Sequence, residues 1–244
     1  MKLFIHGVPD TGYMWSPVIK ALGLAEGDYL NPTMPGFNGA TPAGFAATKE
    51  AYLDWVIKTL ESAANTHGPI DLVGHDWGAP LAAVAAHSRP AAIRTWTVVN
   101  AVPEPTYEWH SLAKTWQTPI LGEVFMLLGN SKKFHQQLIS AGMPKPIADH
   151  EAPRIDGHMK RAILKLYRSA KNPGAWMGAF DFSNIADRGL VMWGENDPFV
   201  PLGYANRFCS RWDIPLVIQK DVGHWGICET PEAFARHLAA HWAR

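Results

Sequence analysis

Val73-Gly74-His75-Asp76-Trp77-Gly78-Ala79 joins two stretches of different character. Upstream, Ile70-Asp71-Leu72-Val73 reads as a short buried strand. Downstream, Ala79-Pro80-Leu81-Ala82-Ala83-Val84-Ala85-Ala86 reads as a helix rich in small residues. Glycines 74 and 78 bracket Asp76 in the G-x-nucleophile-x-G spacing of a sharp strand-to-helix turn. Small flanks let strand and helix approach there, and the central side chain stands exposed on strained backbone. A serine at that centre would attack esters. An aspartate instead attacks an sp³ carbon and leaves an alkyl ester on itself, which water must then cleave. The substrate class therefore moves toward epoxides or alkyl halides. Asp76 alone would also suit a helix N-cap, where a carboxylate meets free N–H groups and the positive end of the dipole. The rest of the chain separates the two readings.

Outward from this turn, strand-like and helical patterns alternate. Residues 2–6, 29–33, 70–74, 94–99, 189–193 and 215–219 are the strand candidates, with helical patterns at 13–22, 48–66, 78–88, 203–211 and 231–243. The longest helix carries Tyr52, Leu53, Val56, Ile57, Leu60 and Ala63 on one face. Near-continuous apolar strands separated by helices predict an α/β fold, a mostly parallel sheet covered on both sides. The alternation breaks between Pro103 and Ser183, where helices are interrupted by Gly129, Gly142-Met143-Pro144, Pro146, Pro153 and Asn172-Pro173-Gly174. The expected organisation is a core made of 1–102 and 184–244, with 103–183 inserted as a helical cap.

Composition narrows the class. The chain has 244 residues, 47% of them hydrophobic, with 22 basic and 22 acidic side chains. That length suits one core with an insertion. Formal neutrality, without a basic tail or Lys/Arg run, argues against nucleic acid or an anionic membrane as partner. Cys209 and Cys228 lack metal-type spacing, so a reduced, cytoplasmic setting is expected. The apolar run Met1–Ile5 stops at His6-Gly7, short of a signal-peptide core, and no stretch reaches transmembrane length. Histidines are scattered, and no phosphate loop or dinucleotide fingerprint is present, so neither metal nor cofactor is expected. The expected partner is a small hydrophobic substrate, and the expected state a monomer or homodimer.

Three further segments line up with Asp76. Trp193-Gly194-Glu195-Asn196-Asp197-Pro198 leaves Asp197 on a loop after one strand, and Asp221-Val222-Gly223-His224-Trp225 puts His224 on the loop after the last. Ile5-His6-Gly7-Val8-Pro9 ends the first strand, where backbone N–H groups are free. In an open parallel sheet ligands bind beyond the carboxyl ends of the strands, so all four segments should converge. Singly, Asp197 is also a turn former and His224 an ordinary loop histidine. Together they stand in the order nucleophile, acid, histidine.

On these residues the chain resembles α/β-hydrolases of the branch that contains epoxide hydrolases and haloalkane dehalogenases. The match runs over nearly the whole chain. The resemblance implies Asp76 as nucleophile, His224 as base, Asp197 as its orienting acid, and the backbone N–H groups of Trp77 and Val8 as an oxyanion hole. Glu195, two residues before Asp197, is a rival acid. That family usually has two antiparallel strands before the one ending in His-Gly. Here the sequence starts on that strand, so a sheet of about six strands is expected, with Tyr29–Pro35 at an open edge suited to Pro32 and Pro35.

Two chemistries compete within that resemblance, and epoxide opening is the favoured one. It needs an acid over the nucleophile, and Tyr167 in Leu166-Tyr167-Arg168, thirty residues before Asp197, resembles the epoxide hydrolase cap tyrosine. A second cap tyrosine has no clear counterpart, with His135 or Tyr107 as substitutes. Dehalogenation needs N–H donors for the departing halide. Trp77 supplies one, whereas Val8 stands where one dehalogenase branch has an asparagine and cannot donate through its side chain. Thr118-Pro119-Ile120-Leu121-Gly122-Glu123 looks dehalogenase-like, and Trp109, Trp116 or Trp176 would be the second donor. Fluoroacetate dehalogenases carry an arginine after the nucleophile, which is absent here. Trp77, Trp109, Trp116, Trp176 and Phe125 are the expected substrate-binding aromatics. The fold also hosts ligand binders without turnover.

Overall fold

The computed structural model describes residues 1–243. Six strands form one sheet: β1 Lys2–Ile5, β2 Tyr29–Leu30, β3 Ile70–His75, β4 Ile93–Val99, β5 Gly189–Gly194 and β6 Leu216–Gln219. Their order is β2-β1-β3-β4-β5-β6, and every pair is parallel. The expected α/β architecture of six parallel strands is thus what the chain adopts. β3 and β5 are buried at every position, as strands covered on both faces must be.

Helices α1 Ser16–Ala21, α2 Lys49–His67 and α3 Gly78–Ser88 complete the first half. The chain leaves β1 outward to β2 and then returns across β1 to β3. Right-handed crossovers taken in opposite directions put α1 and α2 on opposite faces of the sheet. The crevice where the direction reverses, between the carboxyl ends of β1 and β3, is where such sheets bind ligands. Lys2 to Ile5 pair with Asp71 to Gly74, which brings Gly7 and Val8 beside Asp76.

Between β4 and β5 the chain forms α4 Ser111–Gln117, α5 Leu121–Leu128, α6 Ser131–Ser140, α7 Lys145–Glu151, α8 Gly157–Ser169 and α9 Pro173–Met177. This stretch is tied to the rest by specific bonds. The Lys49 N–H at the start of α2 donates to Ser169 Oγ at the end of α8 (2.8 Å), and Thr11 Oγ1 donates to Glu151 Oε1 on α7 (3.0 Å). After β5 follow α10 Gly203–Trp212, α11 Gly226–Glu229 and α12 Pro231–Trp242, the last packed on α1. Among the described residues no helix is long and apolar enough to cross a membrane.

The local departures have local causes. The edge strand stops at Leu30 because Asn31 turns to donate to the Gly12 carbonyl (2.9 Å) while Thr33 Oγ1 accepts from the Gly12 N–H (3.0 Å). Prolines 32 and 35 have no N–H with which to continue a ladder. The helix expected at 13–22 opens as a 3₁₀ turn, Gly12–Trp15, because Pro17 can occupy only the first turn of the α-helix that follows.

Candidate active site

Asp76 follows β3 with φ +50°, the left-handed region that a side chain enters only under restraint from its surroundings. The restraint is visible on both sides. The Asp76 N–H donates to the Val99 carbonyl (3.2 Å), and Ala79 N–H donates to the Asp76 carbonyl (2.9 Å). Glycines are required where this turn meets β1. A Cβ on Gly78 would lie 2.2 Å from the Ile5 carbonyl oxygen, and one on Gly7 would lie 2.3 Å from Asp76 Cβ. The turn therefore packs directly against the end of β1.

That contact aims the carboxylate. The Val8 N–H donates to Asp76 Oδ1 (2.7 Å), while Oδ2 lies 3.5 Å from His224 Nε2. The Trp77 peptide starts α3, where the first amides lack intrahelical partners. His224 is buried on the loop after β6, and its Nδ1 is 2.7 Å from Asp197 Oδ2. Asp197 follows β5 and is itself held on all sides. Oδ1 accepts the N–H groups of Phe199 (2.8 Å) and Val200 (2.9 Å), and Oδ2 accepts Asn100 Nδ2 (2.7 Å). Glu195, the rival acid, is exposed to solvent.

The electrostatics follow from burial and opposite charge. Burial alone would raise Asp76, but hydrogen bonding and charge from His224, then His75 and the Val8 N–H, hold it below the usual carboxylate range. Burial likewise opposes the ionisation of Asp197, and His224, the Val200 N–H and Asn100 reverse that. For His224, burial disfavours the cation, yet Asp197 and then Asp76 raise its pKa well above the usual imidazole value. The resting trio is thus two carboxylates around an imidazolium.

Asp76 opens onto two cavities. The first, about 650 Å³, is bounded by Val8, Trp116, Tyr167, Phe199 and His224 among others. Tyr167, from α8, is gripped by three indoles, with ring centroids 4.9 Å from Trp116, 4.9 Å from Trp109 and 5.4 Å from Trp77. Burial and then the Asp76 charge push its pKa upward, so it keeps its proton. The second cavity, about 420 Å³, is lined by Trp77, Tyr107, Trp109 and Trp176. Two of the expected site residues are elsewhere. Phe125 lies behind Trp116 (6.2 Å between rings) and lines neither cavity, because α5 turns Met126 inward instead. His135 cannot stand in for the second acid: it pairs with Asp149 on the surface (2.7 Å). Tyr107 reaches the second cavity only.

Several participants carried no signal that drew attention in the sequence. His110 caps α4 through Nδ1, which accepts the Ala113 N–H (3.3 Å), and the ring lines the first cavity. Burial lowers its pKa, so the ring is neutral with its proton on Nε2. His75 donates through Nε2 to the His224 carbonyl (2.8 Å), and burial takes its pKa down to about 4. Asn100 was the most accessible of the three, since a polar residue ending the apolar run Trp96–Val99 marks a strand's carboxyl end.

Residues 3–237 match the family described as the alpha/beta hydrolase family. An epoxide hydrolase from Caballeronia sordidicola is 35% identical over 89 residues, 36% of this chain, and that match spans only 27% of the relative's own length. A 2-hydroxy-6-oxo-6-phenylhexa-2,4-dienoate hydrolase from Rhodococcus sp. superposes with a TM-score of 0.78 at 17% identity, covering 99% of this chain and 90% of the other. A haloalkane dehalogenase variant from Bradyrhizobium elkanii gives 0.73 at 16% identity, covering 99% and 90%. At such identities the structural likenesses speak for the fold alone.

Proposed function

The chain belongs to the alpha/beta hydrolase family, and from that premise we propose that it opens small hydrophobic epoxides to diols through an ester on Asp76. The observation that carries this reading is Tyr167, a protonated phenol bounding the same cavity as Asp76 and His224. In this account α4–α9 serve as a cap over the nucleophile.

Asp76 Oδ2 attacks an epoxide carbon, the ring C–O bond breaks, and Tyr167 gives its proton to the emerging alkoxide, with His110 Nε2–H as a second donor. Forming the ester removes the Asp76 charge, one of the two that hold the proton on His224. That proton passes to the tyrosinate, and His224 becomes a base. Water attacks the ester carbon while His224 takes its proton, and the Val8 and Trp77 N–H groups hold the oxyanion. His224 returns the proton to the departing diol oxygen. The carboxylic acid left on Asp76 then ionises back onto His224, restoring the resting ion pair.

His224→Gln should therefore accumulate an alkyl-enzyme, because ring opening does not need the base and hydrolysis does. Intact-protein mass spectrometry with styrene oxide reads the adduct. In wild-type enzyme, a single turnover in ¹⁸O-water should place label on Asp76. An Asp76→Ala enzyme that still turns over ends the proposal.

A second reading, haloalkane dehalogenation, is favoured by one observation: the indole N–H of Trp116, which bounds the first cavity, is buried without a hydrogen-bond partner. Such a donor suits a departing halide. Tyr167→Phe separates the two. It should depress diol formation from styrene oxide by about 10²-fold or more while leaving bromide release from a bromoalkane nearly unchanged. Faster bromide release than diol formation in the wild type, or an indifferent Tyr167→Phe, favours the dehalogenase.

A further inference from the structure

Nine large hydrophobic side chains are exposed among the described residues, and five of them fall within nine positions: Ile120 (78%), Leu121 (51%), Val124 (43%), Leu127 (82%) and Leu128 (62%). Their spacing is that of one helical face, and they form the outer stripe of α5. The inner face is equally apolar, with Met126 lining the larger cavity. α5 thus carries a contiguous exposed apolar stripe as well as a buried apolar face, which ordinary surfaces avoid. Ile120 adds a cost of its own. It is β-branched yet held at φ +70°, and that strained backbone keeps its side chain in water.

The surroundings of the stripe are basic. Residues 111–171 hold ten Lys and Arg against four Asp and Glu, whereas the chain as a whole has 22 of each. Overall neutrality therefore averages a cationic helical stretch with an anionic remainder. Three of these cations lie beside α5: Lys133 Nζ donates to the Leu128 carbonyl (3.0 Å), Lys160 Nζ to the Gly129 carbonyl (2.9 Å), and Lys132 is exposed next to Lys133, while the one acid of α5, Glu123, is paired with Arg168.

We propose that α5 and its basic surround dock onto an anionic phospholipid bilayer, with α5 lying in the interface. Ile120, Leu121, Val124, Leu127 and Leu128 would enter the acyl boundary, and Lys132 and Lys133 would meet the headgroups. A helix with an apolar stripe flanked by Lys and Arg has the form of an interfacial anchor, strengthened by anionic lipid. A second copy of the chain fits less well, because a two-fold pairing would bring like basic surfaces together. A protein partner is also disfavoured. The stripe holds only Ile, Leu and Val, without the aromatic, Met or Arg anchors of protein interfaces. The patch is independent of the chemistry at Asp76.

The test is co-sedimentation of the full chain with vesicles of phosphatidylcholine alone or mixed equally with phosphatidylglycerol. The anionic vesicles should bind about tenfold more protein, with binding falling as salt is raised. Leu127→Ser with Leu128→Ser should lose about tenfold of that binding, and Lys132→Glu with Lys133→Glu should erase the preference for anionic lipid. All four positions are exposed, so unchanged thermal melting and basal turnover should accompany both losses. Equal partitioning to the two vesicle types, or binding indifferent to the serine pair, overturns the proposal. So does a lipid-free dimer, seen by sedimentation velocity, that the serine pair dissolves.

Discussion

Asp197, the proposed orienting acid, is a carboxylate held in a single pose. Four donors converge on its two oxygens, one of them the His224 ring, so neither oxygen is free to turn away. Removing its charge while keeping its shape should let the imidazole take the wrong tautomer and withdraw support from the imidazolium. Asp197→Asn should therefore lower ester hydrolysis by about 10⁴-fold with little change in melting temperature. Glu195→Gln should leave turnover nearly unchanged, since its side chain is exposed and His224 Nδ1 is bonded to Asp197 instead. Steady-state rates on one substrate compare the two, and a larger loss in Glu195→Gln would reverse the assignment. In the sequence both acids stand on the same loop, and only the resemblance favoured Asp197. Burial separates them.

At the scale of elements, α8 does the positioning. It carries Ile163 and Tyr167 into the cavity wall, and its start is fixed by Asp156, whose Oδ1 accepts the N–H groups of His158 (2.8 Å) and Met159 (2.9 Å). Losing that cap should cost about 1 kcal/mol. For a chain of this size, that lowers the melting temperature by about 2–4 °C. Asp156→Ala should show that drop, and Asp156→Asn should recover most of it. Calorimetry at neutral pH checks both. An unchanged Asp156→Ala melting point would show that packing alone sets the start of α8. The rotation of α8 was not legible in its own residues, and Tyr167 was set over the nucleophile by the resemblance alone. Nor was the rotation of α5 legible, where Phe125 was expected to face the substrate and Met126 lines the cavity instead. A helix that is apolar on two faces carries no signal of which one is inward.

Across the whole molecule, buried carboxyls join the helical stretch to the sheet. Glu151 on α7 and Asp10 after β1 are both fully buried, and Glu151 Oε2 has no hydrogen-bond partner. Burial raises the Glu151 pKa from its ordinary 4.5 to about 7, and Asp10 is raised well above its own range by burial and then by the Glu151 charge. A carboxyl whose pKa is raised on folding stabilises the fold fully below its unfolded value, and that contribution is lost as pH rises through the folded value. For Glu151 the window runs from 4.5 to about 7. Glu151→Gln keeps an acceptor for Thr11 and removes the charge. It should match or fall slightly below wild type at pH 4, and exceed it at pH 8 by at most about 3 kcal/mol, given ~1.4 kcal/mol per pH unit. Denaturant unfolding at the two pH values reads the difference. A variant less stable than wild type at pH 8 would show that Glu151 is ionised and favourably held.

The sequence by itself determined the six parallel strands, their order along the chain, and the loops that carry Asp76, Asp197 and His224. These are written in local terms: apolar runs, helical periods, and glycines where backbones nearly touch, as at Gly78 against Ile5. Loops at strand ends converge because a parallel sheet leaves them no other side to emerge on. Only the tertiary structure decided which residues of α4–α9 face Asp76. It placed His110 over the first cavity, sent Trp109 and Trp176 to the second, and left His135 on the surface with Asp149. Those outcomes depend on how short helices rotate and pack against one another. No periodicity within any one of them records that, because the constraint lies in its neighbours.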